Sequence, residues 1–161
     1  MTPESTTNPG RRQSLRVLVA GVAGGVAGAS LGWCPEAQAT PADMQAAIAA
    51  FSRSQTLQSG GVRLLVPELV ENGNSVPVSV QVDSPMTERD HVRRIGLFSE
   101  KNPQPQIAVF HLGPHSGRAN VTTRIRLADS QRLVAIVEMA DGRFFQTGVE
   151  VIVTLAACIE N

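Results

Sequence analysis

Cys158 is the residue of this chain best suited to covalent chemistry. A thiolate is a nucleophile that forms sulfur–sulfur bonds. The second cysteine, Cys34, falls in a segment expected to be removed on maturation, which leaves Cys158 without an intramolecular disulfide partner. An unpaired thiol in an oxidising compartment is a liability unless it is buried or used, and a position three residues before the sequence ends is a poor place for burial. Its neighbours set its chemistry. In Thr154-Leu155-Ala156-Ala157-Cys158-Ile159-Glu160-Asn161, the Glu160 carboxylate and the terminal carboxylate disfavour the thiolate, while Ala156, Ala157 and β-branched Ile159 restrict the backbone around it. The expectation is a solvent-accessible but slow thiol.

The other candidates for chemistry are weaker. His111 and His115 have a spacing seen among metal ligands, and His91 is the third histidine, but no neighbouring cysteine or carboxylate pattern completes a tetrahedral set. They read as surface or strand-end histidines. No serine-histidine-acid order, phosphate loop or cofactor fingerprint can be recognised in the sequence, and no resident cofactor is expected. The 161 residues carry 14 basic and 14 acidic side chains, so no global field draws the protein to nucleic acid or an anionic membrane. With one Trp, no Tyr and five Phe, there are few surfaces on which bases or flat cofactors could stack.

The amino terminus reads as an address. Arg11 and Arg12 precede Gln13-Ser14-Leu15-Arg16 and a Gly/Ala/Val-rich, weakly apolar run to Gly32, the pattern of a twin-arginine signal. Ala37-Gln38-Ala39 offers small residues to a signal peptidase, so residues 1–39 are expected to be removed and Thr40 to be the first mature residue, in the periplasm. A retained anchor is disfavoured because the run falls short of the roughly 20 apolar residues a spanning helix needs. A lipoprotein site at Cys34 is disfavoured by bulky Trp33 where a small residue is required.

The elements that must position Cys158 follow from periodicity. Thr40-Pro41 supplies a cap and a first-turn proline, and Met44, Ala47, Ile48 and Phe51 fall on one face of a short helix. Beyond Gly60-Gly61, turn residues recur every eight to twelve positions between β-branched runs. Candidate strands are Val62 to Val66, Val76 to Val82, Val92 to Phe98, Ile107 to Leu112, Val121 to Leu127, Leu133 to Met139 and Phe144 to Leu155. About seven antiparallel strands with a short N-terminal helix predict an all-β, immunoglobulin-like sandwich over residues 40–155, with 156–161 as a cysteine-bearing tail. Alternation is clearest from Val76 to Val82 and from Val121 to Leu127, where Arg124 and Arg126 form the wet face and could meet a partner's acidic rim; Pro77 suggests a strand that starts at a sheet edge.

The stretch Pro67-Glu68-Leu69-Val70-Glu71-Asn72-Gly73-Asn74-Ser75-Val76-Pro77 resembles the SoxY family of sulfur-oxidation carriers. So do the helix around Met44 to Phe51, the Val109-Phe110-His111-Leu112-Gly113-Pro114 segment, and Thr123 to Ala128 followed by Met139-Ala140-Asp141-Gly142. The resemblance implies an immunoglobulin-like sandwich, a heterodimer with a SoxZ-like subunit, and a substrate-attachment cysteine at Cys158. It also implies visits from a c-type cytochrome that joins thiosulfate to the thiol, a sulfate-releasing hydrolase and a sulfane dehydrogenase, with catalysis belonging to those visitors and the chain itself a carrier and no enzyme. The family's usual tail is Gly-Gly-Cys-Gly-Gly. Here the cysteine is kept and all four glycines are replaced, which leaves open a divergent paralogue that pairs with the partner subunit without carrier turnover.

Overall fold

Thr40 opens helix α1 (Pro41–Ser52) through a reciprocal capping box: its Oγ1 accepts from the Asp43 N–H at 3.2 Å, and its own N–H donates to Asp43 Oδ2 at 2.9 Å. The protein is described from a computed structural model over residues 39–157. Hydrogen bonding to the Thr40 hydroxyl and backbone holds the Asp43 carboxyl below its ordinary range. Met44, Ile48 and Phe51 are buried, and sinking three such side chains contributes on the order of 6 kcal/mol to docking the helix. The helix ends at Arg53, which with Ser54 takes a left-handed backbone conformation (φ 54° and 56°).

Among the described residues nine strands come after it: β1 (Leu57–Ser59), β2 (Val62–Leu65), β3 (Leu69–Val70), β4 (Val76–Val82), β5 (Val92–Ser99), β6 (Gln106–His111), β7 (Asn120–Ile125), β8 (Gln131–Met139) and β9 (Phe144–Val153). The large sheet runs β1-β9-β8-β5-β6, with β3 also on β9; the small sheet runs β2-β4-β7. All seven segments marked by alternation are strands. Two short ones join them, β1 and β3, and both pair parallel to β9 where the expectation was an antiparallel set. Gly60-Gly61, both at positive φ, carry the chain from β1 in one sheet to β2 in the other.

Between the sheets lies an aliphatic core that includes Val76, Val78 and Val80 of β4, Ile95 and Leu97 of β5, and Leu133, Ala135 and Val137 of β8. The other face of the large sheet holds α1: Phe98, Val134, Ile136 and Phe144 pack against Met44, Ile48 and Phe51. Phe51 makes edge-on contacts with Phe98 and Phe144, at ring separations of 5.6 and 6.5 Å. Gly96 permits this, because a Cβ there would stand 2.7 Å from the Phe98 ring and 3.2 Å from that of Phe51. The hydrophobic face of the helix thus finds a sheet that is apolar on both sides.

One placement corrects the sequence reading. Strand β4, which carries Pro77, is the central strand of its sheet, between β2 and β7. Proline is tolerated because β2 stops at Leu65, opposite Ser79, so no strand faces Pro77 on that side. Among the described residues no helix is long and apolar enough to cross a membrane.

Candidate functional site

Strand β9 delivers the chain toward Cys158, and the segments around its end decide where that residue can go. Thr154 N–H donates to Val70 O at 2.9 Å, and its hydroxyl donates to Glu71 O at 3.1 Å. The Glu71-Asn72-Gly73-Asn74 turn then takes over: Gly73 N–H donates to Leu155 O at 2.8 Å, and Leu127 N–H donates to Gly73 O at 2.9 Å. Finally Ala157 N–H donates to Leu127 O at 3.0 Å, and Ala157 is buried. These bonds form a small backbone clamp of three segments around the root of the tail.

Gly73 is the hinge of this clamp for a steric reason. A Cβ at this position would lie 2.4 Å from Leu127 O and 2.8 Å from Ala157 N, both backbone atoms that cannot rotate away. The Leu127 side of the clamp is itself held by side chains. Asn102 Nδ2 donates to Arg126 O at 2.8 Å, while Asn102 Oδ1 accepts from Ala128 N–H and from Gln131 Nε2, each at 3.0 Å. Ser130 Oγ accepts from Val153 N–H at 2.8 Å. Lys101 Nζ donates to Asp129 Oδ2 at 2.7 Å, and that bond, with the Ser130 N–H, holds the Asp129 carboxyl below its ordinary range.

The sequence predicted a single arm over residues 156–161. Ala156 is exposed and without secondary structure, but Ala157 is buried and bonded into the body. Cys158, Ile159 and Glu160 lie outside the described residues, as do Arg11, Arg12 and Cys34 of the expected signal. By covalent geometry the Cα of Cys158 is one step of about 3.8 Å from that of Ala157. Around the root, Leu69 and Ile152, paired across β3 and β9, and Leu155 are each more than half exposed. They make an apolar rim that alternation alone did not reveal.

His111 and His115 are exposed, His91 is half-buried, and among the described residues no group of three or more metal-ligating side chains is gathered. Arg124 and Arg126 are exposed as expected, with Ile125 and Leu127 beneath them. A second cluster was not foreseen. Glu138, 2% exposed, is approached by Arg53 at 2.7 Å, by Arg93 at 3.8 Å and by Arg94. The Arg94 guanidinium also lies 4.4 Å from the centre of the Phe51 ring.

Known proteins share both the sequence pattern and the fold. A family model described as sulfur oxidation protein SoxY matches residues 47–158, so the match ends on Cys158. The sulfur carrier protein SoxY from Chlorobium limicola f thiosulfatophilum is 30% identical, with a TM-score of 0.60 over 71% of this chain and 98% of its own. The superoxide reductase (neelaredoxin) of Ignicoccus hospitalis superposes with a TM-score of 0.52 at 22% identity, over 71% of this chain and 94% of its own. The superoxide reductase of Nanoarchaeum equitans does so with 0.51 at 15% identity, over 60% and 100%. Those two likenesses are of fold alone. No curated protein matches the chain.

Proposed function

Because the chain belongs to the SoxY family of sulfur oxidation proteins, we propose that it is a periplasmic sulfur carrier whose substrates are attached covalently to Cys158. The observation that carries this reading is the family match running to Cys158 itself, one residue past the clamped Ala157. In the loading step the Cys158 sulfur bonds to the outer sulfur of thiosulfate. The thiol proton goes to water and two electrons go to a c-type cytochrome. Hydrolysis of the bound adduct then releases sulfate and leaves a persulfide, which a sulfane dehydrogenase oxidises further. The carrier supplies the thiol and its position, and the visiting enzymes supply the catalysis.

The clamp gives this carrier a particular character. A glycine-flanked arm is flexible over several residues, whereas here the body extends to Ala157 and no glycine follows. The thiol is therefore suited to visitors with shallow entrances, which must approach the body closely beside exposed Leu155. Leu69 and Ile152, continuous with the large sheet through β9, are the surface we assign to a SoxZ-like subunit, which leaves Leu155 to the visitors. The alternative is a paralogue that pairs with that subunit and never turns over, favoured by the glycine-free tail.

Intact-mass analysis of protein from thiosulfate-grown cells tests the reading. A carrier shows sulfur-containing additions that are lost on reduction and absent from Cys158→Ser. An unmodified mass under active thiosulfate oxidation would assign the protein to the binding-subunit class. Pairing is tested separately: Leu69→Asp with Ile152→Asp should abolish co-purification with the partner subunit, while deletion of residues 158–161 should leave it intact.

A further inference from the structure

We propose that Arg53 and Arg93, gathered on the buried carboxylate of Glu138 together with Arg94, form a docking face for an acidic surface of a protein partner, remote from the tail. The proposal goes beyond the carrier reading and does not depend on Cys158.

Three features of the sequence build the cluster. Strand β5 bulges between Val92 and Arg94, so that Arg93 is the extra residue between the Val92–Met139 and Arg94–Glu138 pairs. Helix α1 ends at the left-handed pair Arg53-Ser54, a conformation that a helix terminus usually reserves for glycine. At this turn the Arg53 guanidinium donates to Glu138 Oε1 at 2.7 Å. Phe51, just before this turn, underlies Arg94, and its carbonyl accepts from Arg94 Nη2 at 3.4 Å.

Satisfying a buried carboxylate does not need three arginines. Arg94, 25% exposed and stacked on Phe51, bonds Oε2 and Arg53 bonds Oε1, so these two already meet the structural need and Arg93 is surplus to it. Arg53 and Arg93 are 63% and 56% exposed and share the other oxygen, so their nitrogens stand no farther apart than the sum of 2.7 and 3.8 Å. Each guanidinium has five N–H donors, and most of theirs face water. Among the described residues Glu138 is the one carboxylate paired with any of the three. The nearby carboxylates of Asp90 and Asp141 are engaged by Arg143, and the residue beside Arg94 on β6 is His111. With Arg143, Asp90 and Asp141 counted beside them, four cations against three anions leave a local excess of one positive charge on a protein whose total is zero. The backbone strain at Arg53 is of the kind that concentrates at functional positions.

The exposure of Arg53 and Arg93 selects the partner. A small anion held by guanidiniums this wet gains about 1 kcal/mol or less, whereas an acidic protein surface brings several carboxylates at once and is steered by the excess charge. Arginine, weakly hydrated and able to bond carboxylates in pairs, is the residue such interfaces favour. The cluster lies at the Met139 end of β8, and the tail clamp touches Gln131 at the other; seven residue steps at about 3.3 Å separate them by roughly 23 Å. A partner held here leaves the tail free for other visitors.

The test titrates a fluorescent decaglutamate peptide into the mature protein at two salt concentrations. Arg53→Gln with Arg93→Gln retains Arg94 on Glu138 Oε2 but gives up the Arg53 bond to Oε1, so its fold is checked by circular dichroism at the binding temperature, and Arg93→Gln alone, which keeps both hydrogen bonds to Glu138, must reproduce part of the weakening. The double variant should bind the peptide about tenfold more weakly and with a shallower salt dependence, while the charge-matched pair Arg63→Gln and Arg126→Gln should bind as the parent does. Equal losses in both pairs would overturn the proposal, because binding would follow net charge alone. Competition by millimolar sulfate as strong as that by the peptide would also overturn it, in favour of a small-anion site.

Discussion

Replacing Gly73 by alanine tests whether the clamp governs the tail. The φ of Gly73 lies outside the left-handed region, so alanine meets no intrinsic backbone penalty and the whole effect is steric. The new methyl would stand 2.4 Å from Leu127 O and 2.8 Å from Ala157 N, well inside contact distance, with the Val153 side chain at 3.2 Å behind it. Something must move, and the choice lies between the body and the tail. Leu127 is fixed on both sides, since Arg126 and Ala128 bond Asn102. Among the described residues Ala157 has one bond, to Leu127 O. The tail root therefore yields first. Losing that bond costs about 1 kcal/mol, and residual crowding in the turn adds roughly 1–2 kcal/mol of global destabilisation.

Two measurements read these effects. Native-state hydrogen exchange should show the Ala157 amide losing protection by about five- to tenfold, the equivalent of one backbone bond, while amides of β8 change only with global stability. The melting temperature should fall by roughly 5–10 °C. Alkylation of Cys158 by iodoacetamide should accelerate by a factor similar to the loss at Ala157, because a released root widens the approach to the thiol. If Ala157 remains protected and the melting temperature stays within a degree of the parent, the clamp does not hold the tail.

Other consequences can be checked independently. Glu138→Gln removes the charge that three arginines share and should destabilise the fold by about 3 kcal/mol or more, seen as an earlier urea midpoint; a neutral outcome would mean that the cluster is solvated more fully than its burial indicates. Asp43, Asp129 and Asp141 have carboxyls held below the ordinary value of 3.8, so their contribution is complete above that pH and is lost as pH falls through their lower folded values. Circular dichroism should accordingly show little change from these groups between pH 7 and 5 and a loss of stability below about pH 4. Arg11→Lys with Arg12→Lys should retain the precursor in the cytoplasm, and normal periplasmic delivery would refute the export route. Glu160→Gln should speed alkylation of Cys158 by relieving charge, whereas only a variant with glycine at Ala156, Ala157, Ile159 and Glu160 should raise thiosulfate loading; equal loading by the natural tail would mean that the missing glycines do not limit turnover.

The sequence made some elements legible and concealed others for definite reasons. Helix α1 was readable because its capping residues and its apolar spacing agree, and the main strands because alternation or apolar runs persist along most of their length. Strands β1 and β3, of three and two residues, are too short for a period to register, and they exist because the edge of β9 offers parallel pairing. Pro77 suggested an edge because proline lacks a donor, but the early end of β2 provides the same relief within a central strand. Glu138 occupies a position that alternation alone would leave wet. Its burial depends on the end of α1 and on a bulge in β5, two long-range events without local sequence signature. The tail is the corresponding case for the site. Cys158 stood out by type, whereas the anchoring of Ala157 arises from Leu127 and Gly73, which lie far from it along the chain.

Anchoring and loss of glycine act on the tail in the same direction, and the consequence concerns how a partner must approach. Ordering a free residue on entry into an enzyme costs about 1–2 kcal/mol of backbone entropy, so a long glycine arm gains reach at a binding penalty that grows with each residue ordered. A tail whose root is already held at Ala157 avoids that penalty for the root, and side chains in place of glycine lower it again for Cys158 and the residues after it. The corresponding sacrifice is reach, because Cys158 follows the anchored residue directly. On the carrier reading we propose, a visitor must then come within about one residue length of the body, beside exposed Leu155. Thiol exchange and surface recognition become a single event under this proposal, and a substitution at Leu155 should lower loading even where Cys158, its charge and the pairing surface are untouched.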